Sequence, residues 1–197
     1  MKKVLITALC LLCTAFPVMA DEVKSVENLL KEKTEAVLKI LKAKEIDEQA
    51  KKNKIMEIIS PIIDFELMAK LTLGKTNWGK LSEKQKTEFG DLFVERLKRS
   101  YLDKSSFYDD EKIVYKPGFQ RGNKVHAPVD IISNDKPIEL LYKFYTSGRG
   151  QGQKWMAYDI EINGVSLIKS YQAQFSELLK NGTVEDLLAS LRKPVEE

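Results

Sequence analysis

Cysteine and histidine are scarce in this chain. Its 197 residues include two cysteines, Cys10 and Cys13, and a single histidine, His126. Both cysteines lie within the first 20 residues, so residues 21–197 can form neither an internal disulfide nor a cysteine-ligated zinc site. This part of the chain must therefore be stabilised by the burial of a hydrophobic core, for which its length is sufficient.

Long apolar runs and an excess of one charge are also absent beyond the N-terminus. The chain has 32 Lys and Arg against 29 Asp and Glu, and the formal net charge of +3 falls to +1 without Lys2 and Lys3. A nucleic-acid-binding protein would carry a basic excess, and a membrane-spanning helix needs about 20 apolar residues. Residues 21–197 therefore predict neither nucleic-acid binding nor a transmembrane segment.

The first 20 residues have the pattern of a secretory signal peptide. Two lysines precede an apolar run from Val4 to Phe16, and Ala20 stands directly before the charged Asp21. The run is shorter than the about 20 residues that a membrane span requires. We predict cleavage after Ala20, so that residues 1–20 are a signal peptide and residues 21–197 form the exported protein.

Four amphipathic helices are predicted in the N-terminal half. Apolar residues repeat with a helical period over 25–43, and a second such pattern over 47–60 stops before a proline. Asp64 can cap a third helix that Gly74 ends. The capping-box spacing of Ser82 to Gln85 begins a long fourth helix.

The period then changes from helical to alternating, which is typical of half-buried strands. Turn residues separate the alternating stretches, so consecutive strands should pair antiparallel. We predict four strands, at 113–120, 124–132, 138–146 and 154–162. Asn163–Gly164 is predicted to end the last of them.

Two helices are predicted after the strands. The first carries Ile168, Tyr171 and Phe175 on one face, and the second starts at a capping box, Thr183–Asp186. Helices, then strands, then helices predict one α+β domain. We expect a curved antiparallel four-stranded sheet covered on one face by helices, of the cone-shaped NTF2-like type.

Few residues outside the apolar pattern are candidates for chemistry. His126 lies on the polar phase of a strand and lacks companions for a triad or a zinc site, so we interpret it as solvated. The acidic cluster Asp109–Glu111 lacks the spacing of a calcium loop. The glycine-rich stretch 148–152 lacks the context of a nucleotide loop, and its Arg149 is only a weak candidate for contact with a lipid phosphate or a partner. We predict no metal, no cofactor and no catalytic residue.

Three stretches of the chain form a joint pattern. They are 61–69 leading to Leu73, Gly74 and Trp78; the helix with Phe89, Phe93, Leu97 and Tyr101; and 155–160 continuing to 164–167 and 171–175. In order and spacing, over essentially the whole chain after residue 20, they resemble the MlaC family, also known as the toluene-tolerance substrate-binding proteins.

This resemblance implies a periplasmic carrier that holds a phospholipid by its acyl chains in a deep apolar cavity between sheet and helices. It implies two partners, an outer-membrane lipoprotein complex and the MCE-domain subunit of an inner-membrane ABC transporter. Carrying lipid between them would maintain the lipid asymmetry of the outer membrane. The phospholipid is then cargo instead of a cofactor, and the protein is not expected to be an enzyme.

Periodicity indicates which residues would line such a cavity. From the helices and from the inward face of the second to fourth strands we predict Phe65, Met68, Leu73, Phe89, Phe93, Leu97, Val129, Ile131, Leu140, Tyr142, Phe144, Tyr158, Ile160 and Phe175. Residues of these types also fill the cores of ordinary domains. The pattern alone therefore does not distinguish a filled core from a hollow one.

Two other functions fit the same pattern. A cone-shaped domain can host a small hydrolase or isomerase, for which Asp159 and Tyr158 are available without a paired acid and base. An interaction module or chaperone would expose its apolar groove to protein instead of lipid. Native mass spectrometry separates these functions, because bound phospholipid indicates a carrier and bound peptide a chaperone.

Overall fold

The helices and strands follow one another in the order that the sequence predicts. The computed structural model describes residues 16–102, 111–133, 136–148 and 152–194. Six α-helices lie in these ranges: α1 Phe16–Lys42, α2 Glu48–Ile59, α3 Phe65–Trp78, α4 Glu83–Leu97, α5 Leu167–Asn181 and α6 Val184–Arg192. The strands are β1 Lys112–Tyr115, β2 Phe119–Arg121, β3 Lys124–Ser133, β4 Lys136–Ser147, β5 Lys154–Ile162 and β6 Val165–Ser166.

The predicted helix starts are confirmed by their caps. The Asp64 carboxylate accepts a hydrogen bond from the backbone N–H of Leu67 at 2.9 Å. Ser82 and Gln85 form a reciprocal capping box at the start of α4, and Thr183 and Asp186 form another at α6. Each cap satisfies backbone N–H groups that a helix leaves without an internal partner.

The ends of two helices differ from the prediction. Helix α1 begins at Phe16, before the predicted cleavage position. Helix α3 does not stop at Gly74 but continues to Trp78 after a kink at this glycine, whose φ is +69°. An added Cβ at Gly74 would lie 3.3 Å from Gln172 Nε2 of α5. The glycine therefore allows both the kink and the close approach of α5.

One antiparallel sheet contains all six strands, so the prediction of four strands is wrong. The sheet order is β1-β3-β4-β5-β6, and β2 pairs with β3 beside β1. The predicted strand 113–120 is divided because Pro117 cannot donate a ladder hydrogen bond and the N–H of Gly118 donates instead to Glu27 of α1, at 2.8 Å. The sixth strand forms where Asn163–Gly164 turns the chain back onto β5.

A bulge in β5 changes which side chains face α1. Tyr142 pairs with Ile160 and Phe144 with Ala157, so one extra residue of β5 lies between these pairs. Tyr158 therefore lies on the face opposite Phe144, where its ring is 6.0 Å from that of Tyr145. The prediction that Tyr158 points inward with Ile160 is wrong, because a bulge interrupts the alternation on which it depended.

The apolar core has two parts. Helix α1 covers one face of the sheet through Val26 and Leu30, which pack against residues of β3, β4 and β5. Helices α3 to α6 form a second cluster of their own, and α3 and α5 reach the sheet at β5. Ile63 packs against both clusters and forms an isolated parallel β-bridge with Ala157 of β5. The fold is thus one α+β domain.

Candidate functional site

The sheet face that α1 covers becomes more exposed from one end to the other. At one end Val125, Phe144 and Ala157 form a row across three strands, and all three are buried. At the other end Ile131 pairs with Ile138, and Ile138 is 39% exposed. Helix α1 therefore shields only part of the apolar face.

The exposed end of this face forms an apolar strip, which we define as Tyr115, Ile131, Ile138, Leu140 and Ile162. Leu140 pairs with Ile162 across β4 and β5, and Tyr115 lies on the same side because it pairs with Val129, as Leu140 does. All five side chains are at least partly exposed. A run of exposed apolar side chains of this kind is typical of a ligand or partner site.

A pocket of about 660 Å³ lies at one end of the apolar strip, which it meets at Ile162. Its walls come from the C-terminal end of α4 and the following turn, from the β5–β6 hairpin, from α5 and from α6. The lining residues are Arg96, Ser100, Tyr101, Ile162, Val165, Leu167, Ser170, Tyr171, Gln174, Ser190, Lys193 and Pro194. We call it the α5–α6 pocket.

The back of the α5–α6 pocket is held by packed aromatic rings. Tyr171 lines the pocket, and its ring centroid is 5.3 Å from that of Phe93, edge to face. Phe93 in turn stacks on Phe89 at 6.2 Å, and Phe175 lies 5.5 Å from Phe89. Such edge-to-face and stacked pairs add to the stabilisation that burial provides, so packing of the rings stabilises this wall.

A second wall is fixed by an arginine that caps α6. Arg99 donates hydrogen bonds from Nη2 to the carbonyl of Leu191 at 2.8 Å and from Nη1 to that of Lys193 at 3.1 Å. The last carbonyls of a helix have no internal partner, and a cation there also suits the helix dipole. Arg99 therefore holds the end of α6 against α4.

The buried carboxylate of Asp159 is fully engaged in joining β5 to α5. It accepts hydrogen bonds from Ser166 Oγ at 2.8 Å and from the backbone N–H of Ile168 at 3.2 Å, and from Lys143 Nζ at 2.9 Å. Burial by itself lowers the pKa of Lys143, but hydrogen bonds and charge interactions with Glu161 and Asp159 together raise it above the usual value. The carboxylate is thus a structural anchor at the start of α5.

Tyr142, on the covered face, is a neutral phenol at physiological pH. Burial raises its pKa to about 12, because an ionised phenol is poorly solvated by apolar surroundings.

Within the described part of the chain, no group of three or more His, Cys, Asp and Glu side chains could hold a metal ion. None of the described helices is both long and apolar enough to span a membrane.

The opposite face of the sheet carries a polar pocket of about 530 Å³. Every residue that lines it belongs to the strands or to the β2–β3 turn. His126 lies there but is only 5% exposed, because the Phe119 ring packs against it with centroids 5.1 Å apart. The interpretation of His126 as a solvated residue is therefore wrong.

The pH dependence of stability should contain a contribution from His126. Burial lowers its pKa from the ordinary 6.5, and so do the neighbouring cations Lys143, Arg121 and Lys124, whereas Glu161 acts in the opposite direction. Below pH 6.5 the unfolded chain then binds more protons than the folded one. The contribution of His126 to stability is therefore fully present above this pH and is lost as the pH falls.

We expect wild type to lose more stability than His126→Gln between pH 7.5 and 5.5. One proton taken up over one pH unit below 6.5 accounts for a difference of at most about 1.4 kcal/mol. Urea denaturation at both pH values measures it. Equal losses in the two proteins would contradict the assignment.

The structure separates the fourteen residues that were predicted to line a cavity. Phe65 packs against the helical cluster. Six others are members of that cluster, namely Met68, Leu73, Phe89, Phe93, Leu97 and Phe175. Val129 and Phe144 belong to the sheet cluster, and Tyr142 packs against it. Ile131, Leu140 and Ile160 lie on the same face with partial exposure, whereas Tyr158 lies on the other face.

Sequence reasoning missed several residues of the α5–α6 pocket. Ile162 continues the alternation of Ile160 and was within reach of the same argument. Arg96 and Lys193 gave no signal, because helical periodicity identifies the apolar face and not which polar side chains meet a neighbouring helix.

Asp109, Asp110 and Arg149 lie outside the described residues.

Two comparisons show which known proteins this chain is similar to. A family model described as MlaC protein matches residues 31–193. A solved structure of a phospholipid-binding protein from Ralstonia solanacearum, in complex with a phospholipid, is similar with a TM-score of 0.73 and 25% sequence identity. The similarity covers 84% of this chain and 93% of that chain.

Proposed function

This chain belongs to the MlaC family, and from this membership we propose that it binds a phospholipid and acts as a lipid carrier, not as an enzyme. The observation that carries the proposal is the similarity, over most of both chains, to a protein whose structure contains a phospholipid. The apolar strip and the α5–α6 pocket beside it support the proposal, because together they place partly exposed apolar side chains next to polar and cationic residues.

The energetics of acyl chains explain why such a carrier is needed. Two chains hold about 30 methylene groups, and at ~0.8 kcal/mol each their exposure to water would cost more than ~20 kcal/mol. Transfer from a membrane to an apolar protein site exchanges one dry environment for another, so it is close to balanced. Direction must then come from the partners of the carrier.

The size of the pocket suggests how the chains are accommodated. A site for two acyl chains should lie at or beyond the top of the ~300 to 1,000 Å³ range of ligand pockets, whereas the α5–α6 pocket measures about 660 Å³. We therefore propose that the chains extend from the pocket along the apolar strip, where Leu140 and Ile138 are not fully covered.

The finer parts of the proposed function rest on the family. We propose that the protein works in the periplasm and exchanges phospholipid with an outer-membrane lipoprotein complex and with an inner-membrane MCE-domain ABC transporter. No cofactor is proposed. Cleavage after Ala20 would leave α1 with the contacts that hold it on the sheet, namely Glu22 to Gln120 at 2.9 Å and Glu27 to Gly118.

Filling the α5–α6 pocket should reduce the amount of bound lipid. Ser170 lines the pocket on α5, whereas Ser176 on the same helix is exposed and does not line it. We expect Ser170→Trp to lower the lipid-bound fraction about fivefold or more, for a steric cost of ~1 kcal/mol or above. Native mass spectrometry of protein purified without added lipid measures this fraction.

Ser176→Trp is the matched control and should keep the lipid content of wild type. A folded Ser170→Trp variant with unchanged lipid would contradict the location of the site. Wild-type protein that carries peptide instead of phospholipid would indicate the chaperone function.

A further inference from the structure

Two cations line the α5–α6 pocket. They are Arg96 of α4 and Lys193, directly after α6, and none of the described residues that line the pocket is a carboxylate. Ser100, Ser170, Gln174 and Ser190 are polar residues of the same lining. Over the whole sequence Lys and Arg number 32 and Asp and Glu 29, so a pocket whose described charged residues are all cations is a local feature.

The guanidinium of Arg96 has donor capacity that the fold does not use. Its Nη2 donates to the carbonyl of Ser190 at 2.6 Å. Its Nε is buried and has no hydrogen-bond partner within the described part of the chain. Arg99 already holds the carbonyl of Leu191 in α6 and that of Lys193 directly after the helix, so capping alone does not account for a second arginine here.

Apolar residues also line the pocket. Ile162, Leu167 and Tyr171 line it together with the cations, and Ile162 also begins the apolar strip. A site that combines cations with aliphatic and aromatic side chains suits an amphiphile with an anionic head and an apolar tail. Arginine is especially suited to phosphate, because its planar fork matches two phosphate oxygens.

We propose that Arg96 and Lys193 bind the phosphate of the lipid head group, so that this end of the α5–α6 pocket selects lipids that carry a phosphodiester. The inference rests on the proposed function and adds to it the position and orientation of the cargo. The head group lies between α4 and α6, and the acyl chains leave past Ile162 toward the strip.

The experiment is a competition between lipids that differ in their head. Purified protein freed of lipid is incubated with vesicles that contain equal amounts of phosphatidylglycerol, diacylglycerol and oleic acid, and the lipids recovered with the protein are quantified by mass spectrometry. Wild type should favour phosphatidylglycerol over diacylglycerol. Preference for oleic acid over both would overturn the assignment to phosphate, since it would indicate a carboxylate site.

Charge reversal at Lys193 tests the cationic part of the pocket lining. Lys193→Glu should lower the ratio of phosphatidylglycerol to diacylglycerol about fivefold, the effect of a partly exposed ion pair. Lys180→Glu on the exposed side of α5 makes the same charge change away from the pocket and should leave the ratio unaltered. Arg96→Lys keeps the charge but loses the fork, so it should change the ratio in the same direction as Lys193→Glu.

Two further results would overturn the inference, and they differ in what else they affect. An unchanged ratio in both Lys193→Glu and Arg96→Lys, with total lipid retained, would overturn the head-group site and leave the proposed function intact. Wild-type protein that takes up none of the three lipids would overturn the proposed function, and the head-group site with it.

Discussion

Replacement of Asp159 by alanine is expected to lower the free energy of unfolding by about 3–5 kcal/mol, the usual cost of removing one partner of a buried ion pair. Asp159 is only 4% exposed as a residue, and three donors depend on its carboxylate: Lys143 Nζ, Ser166 Oγ and the N–H of Ile168. Without it the lysine is left among buried groups with only Glu161 as a carboxylate partner. Helix α5 also loses its anchor on β5.

Urea denaturation of the variant beside Glu161→Ala measures this effect. Glu161 contacts the same lysine but is more exposed, at 23% of its side chain against 6% for Asp159. The glutamate variant should therefore cost about 1 kcal/mol or less. Equal losses in the two variants would show that Lys143 depends equally on the two carboxylates, and the anchoring role of Asp159 would be wrong.

Phe93→Ala is expected to destabilise the protein by about 3–5 kcal/mol, because the ring is fully buried and its removal leaves a cavity among other rings. The ring contacts Phe89, Tyr171 and Phe175, so three aromatic pairs are lost at once. Leu178→Ala is the control, since Leu178 is 41% exposed and should change stability by no more than about 0.5 kcal/mol. Thermal denaturation compares the two.

A cost below about 1 kcal/mol for Phe93→Ala would mean that the helical cluster is loosely packed.

The burial of Phe93 and Phe144 also decides how lipid binding is tested. A charged residue in place of Phe93 or Phe144 would be buried without a partner and would unfold the chain, so loss of lipid in such variants would not identify the site. Ser170, on the wall of the α5–α6 pocket, allows the test without this loss.

Much of the fold could be predicted from local patterns. The capping boxes at Ser82 and Thr183 follow from the spacing of a few neighbouring residues, and the strands β3, β4 and β5 follow from alternation over nine or more residues. The division of the strand at 113–120 was not predicted. Pro117 is a local signal for it, whereas the contact of Gly118 with Glu27, a residue 91 positions away, appears only in the folded chain.

The candidate site was predicted in part. Ile131, Leu140 and Ile160 lie on the covered face as their periodicity indicated, and whether they contact lipid stays a prediction. Tyr158 does not lie on that face, because the bulge opposite Lys143 and Phe144 shifts the alternation of β5. A bulge is a property of two paired strands, so the sequence of one strand does not reveal it.

By itself, the sequence determined the order of helices and strands, the caps, the apolar residue set and the resemblance to the MlaC family, because each of these depends on residues that are close along the chain or on their pattern. The tertiary structure alone decided that the apolar residues divide into two clusters, that His126 is buried, and that Arg96, Lys193 and Ile162 meet in one pocket. Which side chains remain uncovered depends on how helices seat against a sheet, and this is settled by packing between residues far apart in the sequence.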